Sequence, residues 1–407
     1  MATNNNNKAL NVPHLRFPEF TGEWKEHSLS EYLEFKNGLN PDAKRIGKGI
    51  PFLSVMDILA DGVINYDNIR GKVEATEKEI ESFGVNSGDL LFQRSSETLE
   101  DVGRANVYMD NRTAVYGGFV IRGRKIGSYD PFFVKYLLAT PLARKRTCRM
   151  GAGAQHFNIG QESLAKISLY FPSMEEQQKI AEFLSLLDER IATQNKIIED
   201  LKKLKSAISV QLFNREILLG SHHNWEVMNL SDITVNFNRR NKDSIQYPMY
   251  SVTNVSGFSP QNEVFDGKEI KNEDISIYKI IHKGEFAYNP ARINVGSIGR
   301  YDGEEPCMIS SLYICFRPID NINSDWLLHY LKSDKMIYKY GLYGEGGVRI
   351  YLFYPNFSRI KVLVPPFAIQ KRIASIITTF NKKIRYEELL IKGYQAQKKY
   401  LQSKMFI

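Results

Sequence analysis

Between residues 174 and 213, apolar side chains recur in alternating steps of four and three. They are Ile180, Leu184, Leu187, Ile191, Ile198, Leu201, Ile208 and Leu212, with Gln194 and Lys205 keeping the phase. This is heptad spacing, and it predicts one long helix with a single apolar seam. The pattern returns 193 residues later in Ile373, Ile377, Phe380, Ile384, Ile391, Tyr394, Leu401 and Met405, now with Glu387 and Lys398 at the two polar layers. A lone apolar stripe packs on its own domain. Two stripes interrupted at the same layers point to helices that pack on each other. An antiparallel register placing Lys205 opposite Glu387 and Gln194 opposite Lys398 brings the apolar layers together, and polar layers of this kind fix register. About 40 residues at roughly 1.5 Å each make a helix on the order of 60 Å long.

Each helix follows a stretch of about 150 residues with short β-branched or aromatic runs bounded by Gly, Asn, Asp and Pro, which reads as strands and hairpins. The two stretches match in order: Trp24 with Trp225, "IPFLSVMDI" (50–58) with "YPMYSVTNV" (247–255), "NSGDLLFQR" (86–94) with "HKGEFAYNP" (282–290). Helical patterns follow the middle strands at "PFFVKYLLATPLARKR" and "SDWLLHYLKSDKMIYKY". The prediction is an α+β chain of two tandem similar α/β globules, each followed by a long helix, with the helices paired as an antiparallel coiled coil about a pseudo-two-fold. The expected divisions are a disordered tail over 1–14, a globule over 15–172, a helix over 173–214, a second globule over 215–365 and a second helix over 366–407.

Composition changes this picture little. The net charge of +8 is concentrated in residues 367–407, which hold nine basic and two acidic groups, so nucleic-acid binding by the globules would depend on local patches. Cys148, Cys307 and Cys315 give neither a disulfide framework nor a zinc site, which suits a reducing cytoplasm. No apolar run is long enough for a membrane span. No stretch fits a phosphate loop, and "GAGA" (151–154) and "GEGG" (344–347) sit at matching places as turns. "NPAR" (289–292) lacks the second proline and the aromatic of an adenine-methyltransferase motif. Glu23-Trp24-Lys25 and Glu269-Ile270-Lys271 lack a partner acid for a nuclease, and the adjacent His222 and His223 lack metal-ligand spacing. No catalytic centre and no metal site is expected.

Recognition chemistry remains. Gln93, Arg94, Ser95 and Arg104 fall near one strand end and its loop, and Asn289, Arg292, Asn294 and Arg300 fall in the counterpart. Gln155, His156 and Asn158 follow "GAGA", and Arg349 and Tyr351 follow "GEGG". Arg reads guanine, and Asn or Gln reads adenine, by paired hydrogen bonds in the major groove. This duplicated order, with "FPSMEEQQKIAEFLSLLDERI" and "VPPFAIQKRIASIITTFNKKI" opening the two helices, resembles the specificity subunit of type I restriction–modification systems. Only the first copy has the full Pro–x–x–x–Glu–Gln pattern, because Ile369 stands where the first has Glu176. The resemblance implies that each globule is a target recognition domain and each helix a spacer. It also implies a chain without enzymatic activity or bound cofactor that works in the cytoplasm on double-stranded DNA. Its partners would be two methyltransferase subunits carrying S-adenosylmethionine and two motor–nuclease subunits using ATP and Mg. The competing reading is a coiled-coil scaffold that never touches nucleic acid. It explains the helices and leaves the paired Arg, Asn and Gln loops unexplained.

Overall fold

The computed structural model describes residues 11–153, 155–217, 219, 225–261, 274–347 and 350–407. Of the tail expected over 1–14, only residues up to 10 fall outside them. Asn11 is held, since its carbonyl accepts the Trp24 amide at 2.8 Å.

The chain divides into two units. One takes the residues up to Lys196 together with Leu389–Ile407, and the other takes Ile197–Glu388. Each unit therefore owns one globule and a segment of both long helices, a division that differs from the expected succession of globule, helix, globule, helix.

The first globule is built on a four-stranded antiparallel sheet of β1 (Leu33–Asn37), β2 (Leu90–Gln93), β3 (Ala105–Val107) and β4 (Val120–Lys125), in the order β1-β4-β2-β3. The second repeats it with β5 (Thr234–Phe237), β6 (Phe286–Tyr288), β7 (Ile298–Arg300) and β8 (Ile314–Pro318), in the order β5-β8-β6-β7. The matched "NSGD" and "HKGE" stretches build the turns that lead into β2 and β6. Gly88 and Gly284 sit at φ 91° and 84°, where a Cβ would be strained. Asp89 accepts the Asn86 amide and Glu285 accepts the His282 amide, at 3.0 and 2.7 Å.

A helix covers one face of each sheet: α1 (Pro131–Leu138) in the first unit and α3 (Ser324–Leu331) in the second. Asp130 caps α1 by accepting the Phe133 amide, and Asn323 caps α3 by accepting the Trp326 amide. A two-stranded ribbon closes each unit, Lys25–Ser28 against Ser168–Phe171 and Glu226–Asn229 against Lys361–Val364. Each ribbon leads directly into a long helix, α2 (Met174–Phe213) or α4 (Phe367–Met405).

Two glutamines fix where these helices begin. Gln177 donates to the Pro172 carbonyl and accepts the Asp130 amide at 3.1 Å. Gln370 does the same with Pro365 and Asn323, at 2.9 and 2.7 Å. In the first copy only, Glu176 is buried, ion-paired with Arg16 at 2.7 Å and within 3.3 Å of the Trp24 indole nitrogen. Ile369 replaces it with apolar packing in the second core.

Every predicted seam residue is buried or half-buried. In the first unit, Ile180, Leu184 and Leu187 share a core with Leu401, Met405, Phe406, Trp24 and Phe133. In the second, Leu212 and Phe213 share one with Ile373, Ile377, Trp326 and Tyr330, and Ile208 packs against it. The expected pairing of layers is corrected. Lys398 pairs with Asp188, in the first unit, and Lys205 Nζ donates to Asn381 Oδ1 at 3.0 Å, in the second. Arg190 lies over the Tyr394 ring, 5.4 Å from its centroid. These contacts fit an antiparallel register displaced by one heptad, with position 398 opposite 187 and 205 opposite 380. In that register all ten layers of each seam meet a seam layer. The expected one leaves Ile180, Leu184, Ile373 and Ile377 without a counterpart, which is the physical reason it loses.

Candidate nucleic-acid interface

The described recognition residues other than Arg300 gather at one end of each central sheet, whereas Arg300 lies opposite Phe286, at the other end of the second sheet from Asn289. In the first unit, Ser95–Ser96 pairs with Phe157–Asn158, which brings Gln93, Arg94 and Ser95 beside Gln155, His156 and Asn158. The Ile159 amide donates to the Arg94 carbonyl, and Ala152 and Asn158 close the "GAGA" loop by a reciprocal pair of backbone bonds. The second unit repeats this wiring. The Leu352 amide donates to the Pro290 carbonyl, and Glu345 and Tyr351 close the "GEGG" loop. The loops are equivalent structural devices carrying different side chains.

Their availability differs. Gln155 and His156 are exposed. Asn158 is exposed too, and its Oδ1 accepts the Ser95 hydroxyl, so those two act as a pair. The Arg94 guanidinium leans on the Gly118 carbonyl at 3.3 Å. Arg104 is exposed and ion-paired with Asp101, and its carbonyl accepts the Gln93 amide. Gln93 itself is 5% exposed, with Nε2 donating to the Ser95 carbonyl, which makes it a support for the loop. In the second unit Arg292 is exposed, and Asn294 is half-buried in the turn that follows. Asn289 shapes that turn by accepting the Ala291 amide. Tyr351 is exposed and stacks on Phe353.

Arg300 requires a correction. Asp302 and Asp325 hold its guanidinium at 2.6 and 2.7 Å, so it ties β7 to the first turn of α3 instead of facing a ligand. Arg349, His222, His223 and Glu269-Ile270-Lys271 lie outside the described residues.

Sequence reasoning missed the cationic clefts beside the sheets. The first unit has a cleft of about 720 Å³ whose lining includes Arg104, Lys135, Arg144, Lys145, Lys398 and Lys399. Lys135 donates to the Gly62 carbonyl, and burial brings its ammonium down to about 8. The second has a cleft of about 590 Å³ lined in part by Lys205, His329, Lys332 and Lys335. Burial lowers the pKa of Lys205 and Lys332 as well. These lysines come from segments far apart in sequence, so no local run announces them. Cations outnumber the carboxylates in both linings, which include Asp61, Glu100 and Asp188 in the first and Asp334 in the second. A concave surface with a basic excess suits a polyanion. Among the described residues no cluster of His, Cys, Asp or Glu is placed to hold a metal, and no helix is long and apolar enough to cross a membrane.

Comparison with known proteins agrees with this geometry. The model of the type I restriction modification DNA specificity domain matches twice, over residues 21–203 and 222–392. A Methanocaldococcus jannaschii protein described as the MjaX type I restriction enzyme specificity subunit is 22% identical over 93% of this chain and 91% of its own. The EcoKI specificity subunit of Escherichia coli is 23% identical over 49% of this chain and 46% of its own. A type I restriction–modification S subunit from M. genitalium has the same fold, with a TM-score of 0.57 at 16% identity, covering 97% of this chain and 99% of that one. A chain from a structural study of assembly and conformational transition of a type I system superposes at 0.56 with 13% identity, over 94% and 97%.

Proposed function

The chain belongs to the type I restriction modification DNA specificity family, and from that premise we propose that each globule reads one half of a two-part, asymmetric DNA target. As a specificity subunit it is a non-catalytic member of its complex. The observation that carries the proposal is the duplicated sheet end: the backbone wiring repeats while the side chains change. Arg94 becomes Pro290 and Asn158 becomes Tyr351 within the same bonds. Equivalent frames with different functional groups suit two half-sites of different sequence. The cationic clefts supply sequence-independent attraction to the phosphate backbone, and α2 and α4 set the gap between half-sites.

The chemistry resides in partners. Two methyltransferase subunits would bring S-adenosylmethionine and methylate adenine, and two motor–nuclease subunits would use ATP and Mg, all in the cytoplasm. Exposed apolar side chains on the long helices, such as Leu186, Leu204, Tyr386, Leu389 and Tyr400, offer contact surface for subunit docking. The test is co-expression with the cognate methyltransferase followed by methylome sequencing. The expected result is one bipartite motif with adenine methylation in both halves, and the absence of any such motif would sink the proposal.

A further inference from the structure

Two side chains stand out against the turns that carry them. The β4 strand is entered through a four-residue turn, Gly117–Val120, closed by the Val120 amide on the Gly117 carbonyl at 2.9 Å. The β8 strand is entered through Ser310–Tyr313, closed in the same way at 3.2 Å. The turns are 193 residues apart, the offset of the loop and helix repeats. The third position of each holds a large apolar residue that is almost free of protein: Phe119 is 70% exposed and Leu312 is 75% exposed. That position ordinarily favours small polar residues or glycine. A single exposed apolar side chain needs no explanation. The same anomaly at the same position of both copies does.

Both residues lie at the recognition end of their sheets. Val120 is registered opposite Gln93, and Ile314 opposite Tyr288, the residue before Asn289. The Phe119 carbonyl accepts the Arg94 amide at 2.9 Å, and the Arg94 guanidinium rests on Gly118. The turn is also braced from behind. The Leu39 amide donates to Tyr116, the Gly38 amide donates to Val120, and a Cβ on Gly38 would come within 2.1 Å of the Gly117 carbonyl oxygen. The benzyl group is thus presented on a stiff support among polar readers.

Among the base edges of the major groove, the apolar feature is the 5-methyl group of thymine. We infer that Phe119 and Leu312 are specificity-determining residues, each packing on a thymine methyl in one half-site. Arginine and amide groups on the same edge favour DNA over a protein partner as the occupant. The inference rests on the proposed half-site reading.

The test uses the full chain purified with its methyltransferase partner, on duplexes carrying the bipartite target, with each thymine replaced in turn by deoxyuridine. One replacement in the half read by the first globule should weaken wild-type binding about fourfold, the worth of one buried methyl. Phe119→Ala should bind thymine and uracil duplexes equally, with an unchanged melting temperature because the side chain packs on little. Leu312→Ala should show the same loss of discrimination in the other half only. If the wild type ignores every uracil, or if Phe119→Ala keeps the wild-type uracil sensitivity, the inference is overturned. A weakened Phe119→Ala without a uracil-sensitive position in the wild type would assign the contact to a kinked base step or to a protein, and would overturn it as well. A wild type that shows no preference for any bipartite target fails earlier, at the half-site reading itself.

Discussion

At the scale of single residues, the helix-opening stretch separates into a shared part and a private part. Gln177 and Gln370 bridge the proline before each long helix to the cap of α1 or α3. Glu176 serves the first unit alone. Replacing it by alanine leaves the Arg16 guanidinium and the buried Trp24 indole N–H without their shared acceptor, at a cost on the order of 2–3 kcal/mol. The expected outcome is an earlier denaturant transition of the first unit, with the second unit's transition unmoved. A second residue-scale prediction concerns pH. His329 Nε2 lies 3.2 Å from Thr378 Oγ1, and burial lowers its pKa from the usual 6.5 to about 4. Asp325 opposes that shift, while Lys205, Arg300 and Lys332 reinforce it. Between about pH 4 and 6.5 the folded state therefore binds fewer protons than the unfolded state, so the second unit loses stability as pH falls through that window and regains it as pH rises. His329→Gln should flatten the fall in melting temperature between pH 7 and 5. An unchanged slope would place the acid sensitivity elsewhere.

At the scale of elements, the seam was legible in sequence and its register was not. Positions such as Leu184 and Ile377 are named by periodicity, because every seam residue must leave water. A displacement of one whole heptad preserves that periodicity, so the choice falls to how many seam layers find a counterpart and to contacts outside the repeat. The choosing contacts come from the globule cores: Leu401 and Met405 join Trp24 and Phe133, and Leu212 joins Trp326 and Tyr330. Paired cysteines test the register. Leu187→Cys with Lys398→Cys should oxidise readily and change mobility on a non-reducing gel, whereas Gln194→Cys with Lys398→Cys should stay reduced, because bridged Cα atoms must lie within about 7 Å. The reverse result would restore the Gln194–Lys398 layer. The recognition loops were partly legible for a related reason. Residue type marked Arg94, Asn158 and Arg292, but only the fold shows that Asp302 and Asp325 occupy Arg300 and that Phe119 stands clear.

At the scale of the whole chain, the first unit depends on a segment from the far end of the sequence, whereas the second is one continuous stretch. The first globule's core is completed by Leu401, Met405 and Phe406, with Phe406 stacked on Phe133 at 5.3 Å and edge-on to Trp24 at 6.2 Å. Its early backbone is tied there too, by the Leu15 amide on the Lys404 carbonyl at 2.8 Å. A deletion of residues 400–407 therefore removes core from the N-terminal globule and none from the second unit. Several buried side chains lost together should cost more than a marginally stable unit can bear. Limited proteolysis should cut first between residues 15 and 170 in the truncated chain, and methylation by the co-expressed complex should lose recognition of one half-site. The same contact governs domain exchange. Replacing residues 15–170 with a relative's segment should change one half-site and leave the other intact, provided the incoming segment keeps an aromatic pocket for Phe406. An exchange that changes both half-sites would refute the modular reading. One that fails only when Trp24 and Phe133 are replaced by small residues would trace the failure to the C-terminal plug.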